Sequence, residues 1–295
     1  MKKRLKLIAI VYAVAVTMGI ASCSSSRQGV HSDIKRPEPG QIQAALDSIC
    51  SEGYNLYIAE RVNWVATDMV LEHYSEGDFG GNVIWQPTDS TWRAVFFDKE
   101  GKNSVFELDY NSRSGESSWT YETRPVTNEE QSQWELKSVM FDNVYEQYRD
   151  SIRYRSDYGR LNFDLVRIDA NTMRLYILQG VERPGVIPFG NDFSIDFDNE
   201  GKTMAFRRYH KSFIPMLTVD EEGNKTTATY HSHLRDNPYI TPTDICNFLL
   251  YRNDEMKQTY IVSTALNGEI IYNAESNSAV FIPREVMEKI GKKGK

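Results

Sequence analysis

Two of the five histidines in this 295-residue chain stand one residue apart, in His231-Ser232-His233. The stretch before them, Thr226 to Tyr230, is β-branched and aromatic, so the pair closes a strand. Residues i and i+2 of a strand share a face, which aims both imidazoles at one point. Thr241-Pro242-Thr243-Asp244 then opens a helix, and Asp244 in its first turn offers a third donor. Two imidazoles, one carboxylate and a position left for water are the ligand set of a catalytic zinc site. The same residues also make a helix start without any metal. Thr241 is an N-cap, Pro242 sits at N1, and Asp244 at N3 completes a capping box and favours the helix dipole. Taken alone, the residues leave both readings open.

The elements that must position these side chains are those of an α+β protein, with an antiparallel or mixed sheet and flanking helices. Apolar residues recur at helical spacing through Gln41 to Tyr74, and Gly53 divides the stretch into two helices. β-Rich runs follow at 82–85, 91–97 and 104–108, parted by turn residues such as those at 98–102, which predicts an antiparallel meander. Thr127 caps a helix over 128–148, with Glu130 three residues on. Further strands are expected at 174–178, 193–197, 205–210, 227–233, 259–264 and 279–282, with a helix at 242–251. Phe189-Gly190-Asn191-Asp192 reads as a turn with Gly190 or Asn191 at positive φ, and His210 as a satisfied surface histidine. The division expected is a leader at 1–22, a flexible tether at 23–39, an N-terminal α+β region at 40–160 and a C-terminal α+β region at 161–295.

His231-x-His233, seven intervening residues, Thr241, two more, then Asp244 resembles the JAMM (MPN-type) metalloprotease motif. The order of strand, helix and strand fits it as well. That family comprises zinc peptidases and isopeptidases, with members that have lost the metal. The resemblance implies a JAMM-like C-terminal half, zinc held by His231, His233 and Asp244, and an oxyanion stabilised by Thr241. It also implies an upstream glutamate as general base, for which Glu182, 49 residues before His231, is the candidate. Asp192 and Glu200 are weaker substitutes. The sequence departs from the family in having Leu234 where Pro is usual, Thr241 for the commoner Ser, and a turn rather than a helix start around Glu182.

The N-terminus carries a different signal. Four basic residues precede an apolar run, Leu7 to Val16, too short to span a bilayer. Ile20-Ala21-Ser22-Cys23 resembles the lipobox of bacterial lipoproteins, which implies cleavage before Cys23, lipid on its thiol, and a membrane-anchored body in the cell envelope, facing the periplasm or the cell exterior. Ser24 to Pro39 reads as a tether. Of 34 Lys and Arg, four lie in the leader, so 30 face 41 acidic residues in the remainder, a net charge of −11. That balance opposes nucleic acid as a partner. Cys50 and Cys246 are expected as free buried thiols.

Two functions follow as expectations. One is an envelope lipoprotein with a candidate JAMM-like metal site, whose body binds a partner or stabilises an assembly. The other is a zinc-dependent peptidase or isopeptidase that cleaves amide bonds, with a peptide or a peptidoglycan-type molecule as substrate.

Overall fold

The structure is a computed structural model that describes residues 37–75, 77–153 and 155–293. The leader, Cys23 and most of the tether lie outside the described residues. The fold is α+β.

Helix α1, Pro39–Leu71, is one continuous helix of 33 residues, which corrects the expected break at Gly53. A glycine inside a helix costs about 1 kcal/mol relative to alanine, and packing offsets that here. A Cβ at Gly53 would lie 2.8 Å from Ile245 Cβ, so the missing side chain is what lets α1 approach the helix carrying Ile245. Along its length α1 serves two cores. Its second half, Leu56 to Val70, packs on Trp92, Ala94, Phe96, Phe106 and Leu108, and the same cluster takes in Tyr176, Leu178 and Cys246. Its first half, Ile42, Leu46 and Cys50, packs with Ile187, Phe189, Ile245, Phe248, Ile261, Ile270 and Tyr272.

The meander is present as β1 Phe79–Trp85, β2 Thr91–Asp98, β3 Asn103–Asn111 and β4 Ser117–Thr120, with the short β5 Arg124–Pro125 beside β3. Helix α2, Asn128–Tyr148, begins with the expected reciprocal capping of Thr127 and Glu130. It lays Met140 and Val144 on the sheet made by β6 Leu161–Arg167, β7 Met173–Gln179, β9 Phe193–Phe197 and β10 Thr203–Arg208. A two-stranded ribbon joins β8 Val186–Gly190 to β11 Phe213–Leu217.

The last sheet holds β12 Ala228–His233, β13 Gln258–Ser263, β14 Gly268–Asn273 and β15 Ser278–Pro283 in chain order. β12 and β13 are parallel, so the chain must cross over between them, and helix α3, Pro242–Tyr251, makes that crossover. Helix α4, Arg284–Lys293, closes the described chain. Cys50 and Cys246 are buried and free, and burial pushes the Cys50 thiol up to about 11. Among the described residues, no helix is long and apolar enough to cross a membrane.

Candidate metal centre

Alternation on β12 sets the first two donors. Thr229, His231 and His233 point inward, while Tyr230 and Ser232 face solvent. Parallel pairing then fixes the strand, with His231 opposite Ile261 and His233 opposite Ser263. The crossover back to β13 starts at Thr241, so the first turn of α3 lands over the imidazoles. Asp244 is 1% exposed, and its two oxygens divide the work. Oδ2 accepts hydrogen bonds from the Thr241 backbone N–H and from Thr241 Oγ1, both at 2.8 Å, and lies 3.2 Å from His233 Nε2. Oδ1 has no hydrogen-bond partner and faces His231 Nε2 and His210 Nε2, each at 3.3 Å. The capping box and the ligand set are therefore one arrangement, built from opposite edges of a single carboxylate.

His210 is the member that the sequence reading placed elsewhere. It is not on the surface but 7% exposed, just past the end of β10. Its Nε2 lies 3.0 Å from His233 Nε2, which in turn lies 3.1 Å from His231 Nε2. One ligand atom from each of His210, His231, His233 and Asp244 fits within a 4.8 Å span. In a tetrahedral shell the ligand–ligand edge is about 1.6 times the metal–ligand distance, or roughly 3.3 Å for zinc with nitrogen and oxygen donors. Five of the six pairs lie 3.0 to 3.3 Å apart, close to that edge, with His233 facing Asp244 Oδ2 and the other two rings facing Oδ1; taken one atom per residue, the set is somewhat wider, within 4.8 Å.

Outer contacts fix the tautomers. His233 Nδ1 lies 2.6 Å from the Tyr239 carbonyl oxygen, which can only accept, so Nδ1 carries the hydrogen. His210 Nδ1 lies 2.8 and 3.0 Å from the two oxygens of Asp192, and donates to that carboxylate. Thr243 Oγ1 donates to Asp192 Oδ2, which ties Asp192 to the first turn of α3. With both Nδ1 atoms donating, the neutral rings of His210 and His233 present bare lone pairs to each other across 3.0 Å. Two acceptors so placed require a cation or a proton between them. This set of donors, with the orphaned Oδ1 of Asp244, fits a divalent metal.

No family model matches the chain, and neither a curated protein nor a solved structure matches it. The site therefore stands on its own geometry.

Electrostatics agree with a cationic centre. Burial alone would raise the Asp244 carboxyl, but the three imidazoles outweigh it and hold the group well below the usual carboxylate range. Burial alone would lower His210, yet Asp192 and Asp244 carry it up to about 9. His231 is held below its ordinary value, chiefly by burial and against the pull of Asp244. Its Nδ1 has no partner.

The remaining expected residues separate. Thr241 is at the cluster, 4% exposed, with its hydroxyl engaged by Asp244 and Thr243. Glu182 is not brought to the histidines. It is exposed, and it lines a different cavity of about 470 Å³ with Glu60, Asn63, Trp64, Lys137 and Tyr251. Its sequence distance was plausible for a base, but the turn around it follows β7 and folds against Tyr158 and Arg160. Glu200 is exposed in the turn after β9. Of the three carboxylates weighed as a base, Asp192 alone reaches the cluster, where it orients His210. The expected turn at 189–192 is instead the end of β8, Phe189 and Gly190, and a two-residue link to β9, but the positive φ is there, with both Gly190 (φ 78°) and Asn191 (φ 55°) in the left-handed region. That reversal turns Asp192 inward to 0% exposure. No spacing signal marks His210 or Asp192, because each comes from a different strand end.

Proposed function

We propose that this chain is a metal-dependent hydrolase of JAMM-like type, with zinc held by His231, His233 and Asp244, acting on amide bonds. The observation that carries the reading is the convergence of three imidazole Nε2 atoms and a buried carboxylate, with the tautomers of His210 and His233 set so that their lone pairs face one centre. When bound, the metal would act as a Lewis acid and lower the pKa of water. The chain's own residues do the rest. β12 and the first turn of α3 hold the donors, and Tyr239 and Asp192 orient two of the rings. A cavity of about 440 Å³, lined by residues including His210, Ser212, Ser232, His233 and Asn237, borders the centre on the side of His210 and His233. A peptide or peptidoglycan-type amide suits that cleft. The mature chain, loaded with zinc, is expected to release amine from peptide amides and to stop when a chelator strips the metal.

One observation favours a second reading. His210 stands where a catalytic site keeps its place for water, and four protein ligands describe a structural site. On that reading the body is a non-catalytic envelope protein whose metal stabilises its fold. A chain that binds one metal and leaves a broad panel of peptides and peptidoglycan fragments intact would decide for it.

Anchoring belongs to the proposal too. It is supported by Ile20-Ala21-Ser22-Cys23 behind a basic and apolar leader. The body would then work outside the cytoplasm, tethered by lipid on Cys23. Serine lacks the thiol that takes the lipid, so Cys23→Ser is expected to abolish lipid labelling and release the protein from membranes. Continued labelling of the variant would show the lipobox reading to be wrong.

A further inference from the structure

Three of the four donors sit on regular elements, and one does not. His231 and His233 are on β12, and Asp244 is in α3. His210 lies in the short segment between β10 and β11, bordered by the same cavity of about 440 Å³ that Tyr209, Lys211 and Ser212 line. Few contacts tie this segment to the loop after β12. Asn237 Nδ2 donates to the Tyr209 carbonyl at 2.7 Å, and Lys211 pairs with Asp236 at 3.1 Å, both side chains exposed. Both His210 and His233 border that cavity, but His210 alone of the two lies off a regular element and has a buried carboxylate, Asp192, behind its ring.

The chemistry of that ring is specific. Across Nε2–Cε1–Nδ1 it offers a lone pair on one edge and an N–H on the other. A trans secondary amide does the same across O–C–N, with its carbonyl oxygen and its N–H on opposite edges. His210 spends its lone pair on the centre shared with His231, His233 and Asp244, and its N–H on Asp192. We propose that His210 holds the place of the substrate's own amide, that it swings into the cavity when substrate enters, and that Asp192 then accepts the substrate N–H.

Asp192 is thereby a specificity-determining residue. With His210 in place it is 0% exposed, and the hydrogen bond from Thr243 Oγ1 holds its carboxylate toward the centre. A buried acceptor left unpaired selects against ligands that lack the donor. The substrate class is a secondary amide with a free N–H, while esters and N-alkylated amides such as prolyl bonds are excluded. This inference rests on the hydrolase reading and sharpens it.

The test uses the full mature chain with cobalt(II) in place of zinc, because its visible absorption reports the ligands. In the wild-type protein the spectrum should be that of four protein donors and unmoved by low concentrations of amide. His210→Ala should still bind cobalt through the other three. Its spectrum should shift on adding imidazole, which refills the gap, and on adding N-methylacetamide. N,N-dimethylacetamide, without an N–H, should bind about tenfold more weakly or worse, and adding Asp192→Ala should erase that difference. Should the alanine variant fail to fold, His210→Gln places an amide in the same gap, and the nitrogen-to-oxygen change should be visible directly. Identical spectra for wild type and variant, or equal binding of the two amides, would overturn the inference and leave the hydrolase reading standing. Absence of metal from the wild-type protein would remove the hydrolase reading itself, and this inference with it.

Discussion

Asp244→Ala is expected to lower metal affinity by at least about 100-fold, roughly 3 kcal/mol, and to leave the purified chain nearly metal-free. Asp244 supplies the only negative charge among the four donors, and it does so from a position 1% exposed. Its removal takes away a ligand and leaves three buried imidazoles facing one another. It also ends the reciprocal cap with Thr241, worth about 1 kcal/mol. Asp244→Asn separates the two losses. An amide oxygen can still accept from the Thr241 N–H, so the cap largely survives, while the charge and one good ligand oxygen are gone. Metal per chain, measured by elemental analysis beside thermal unfolding in chelator, reads the two effects apart. Equal metal in wild type and Asp244→Asn, or none in either, would leave Asp244 with its capping role alone.

Metal removal should change how stability responds to pH, and even the sign of that response. In the metal-free chain His210 has a folded pKa near 9, above its ordinary 6.5. A group raised on folding contributes stability that is complete below the unfolded value and is lost as pH rises through the folded one. The metal-free protein should therefore weaken between pH 6.5 and about 9, by on the order of 3 kcal/mol if that pKa difference is fully expressed. Asp244 acts at the other end. Its depressed carboxyl contributes above the usual carboxylate range, and that contribution fades only as pH falls well below it. His231, lowered by burial, costs stability only below its ordinary value, so it leaves the alkaline window untouched. Metal binding requires unprotonated imidazoles and strengthens as pH rises. Metal at 100 times its dissociation constant adds about 2.7 kcal/mol to the folded state. The gap in melting temperature between loaded and chelator-treated protein should widen from pH 6.5 to 9. A gap that stays constant or narrows would mean that no metal occupies this cluster.

How far the site could be read from sequence depended on whether its geometry was local. His231 and His233 share a strand face by period-2 alternation, and Asp244 stands three residues after an N-cap, so short-range rules suffice for each pair. Their meeting required only that the chain cross over from β12 to a parallel neighbour. His210 and Asp192 obey no such rule. They lie on opposite sides of the β9–β10 hairpin, and a hydrogen bond 18 residues apart brings them together. Asp192 was visible only within an expected turn and as a weak substitute for the base, and what buries it is the left-handed link from β8 to β9. Glu182 shows the converse error, since a distance in sequence says nothing about the direction a loop takes. The fold reads in a similar way. Thr127 and Glu130 mark α2 by local capping, whereas Gly53 misleads because the reason for it, Ile245, is 192 residues away.

Helix α1 has a kinetic consequence. It is the first described element of the chain, yet its first half packs on Ile245, Phe248, Ile270 and Tyr272 near the other end. The Gln43 side chain donates to the Ala279 carbonyl across 236 residues. Long-range contacts of this kind slow the search for the native state. During synthesis, Ile42, Leu46 and Cys50 stay without many of their partners, Ile261, Ile270 and Tyr272 among them, until the last sheet exists. Over that interval an apolar stripe of helix remains available for aggregation or for a chaperone. Formation of the metal cluster, whose ligands span only residues 210 to 244, can precede the docking of α1, so the site can assemble before the spine of the molecule is in place.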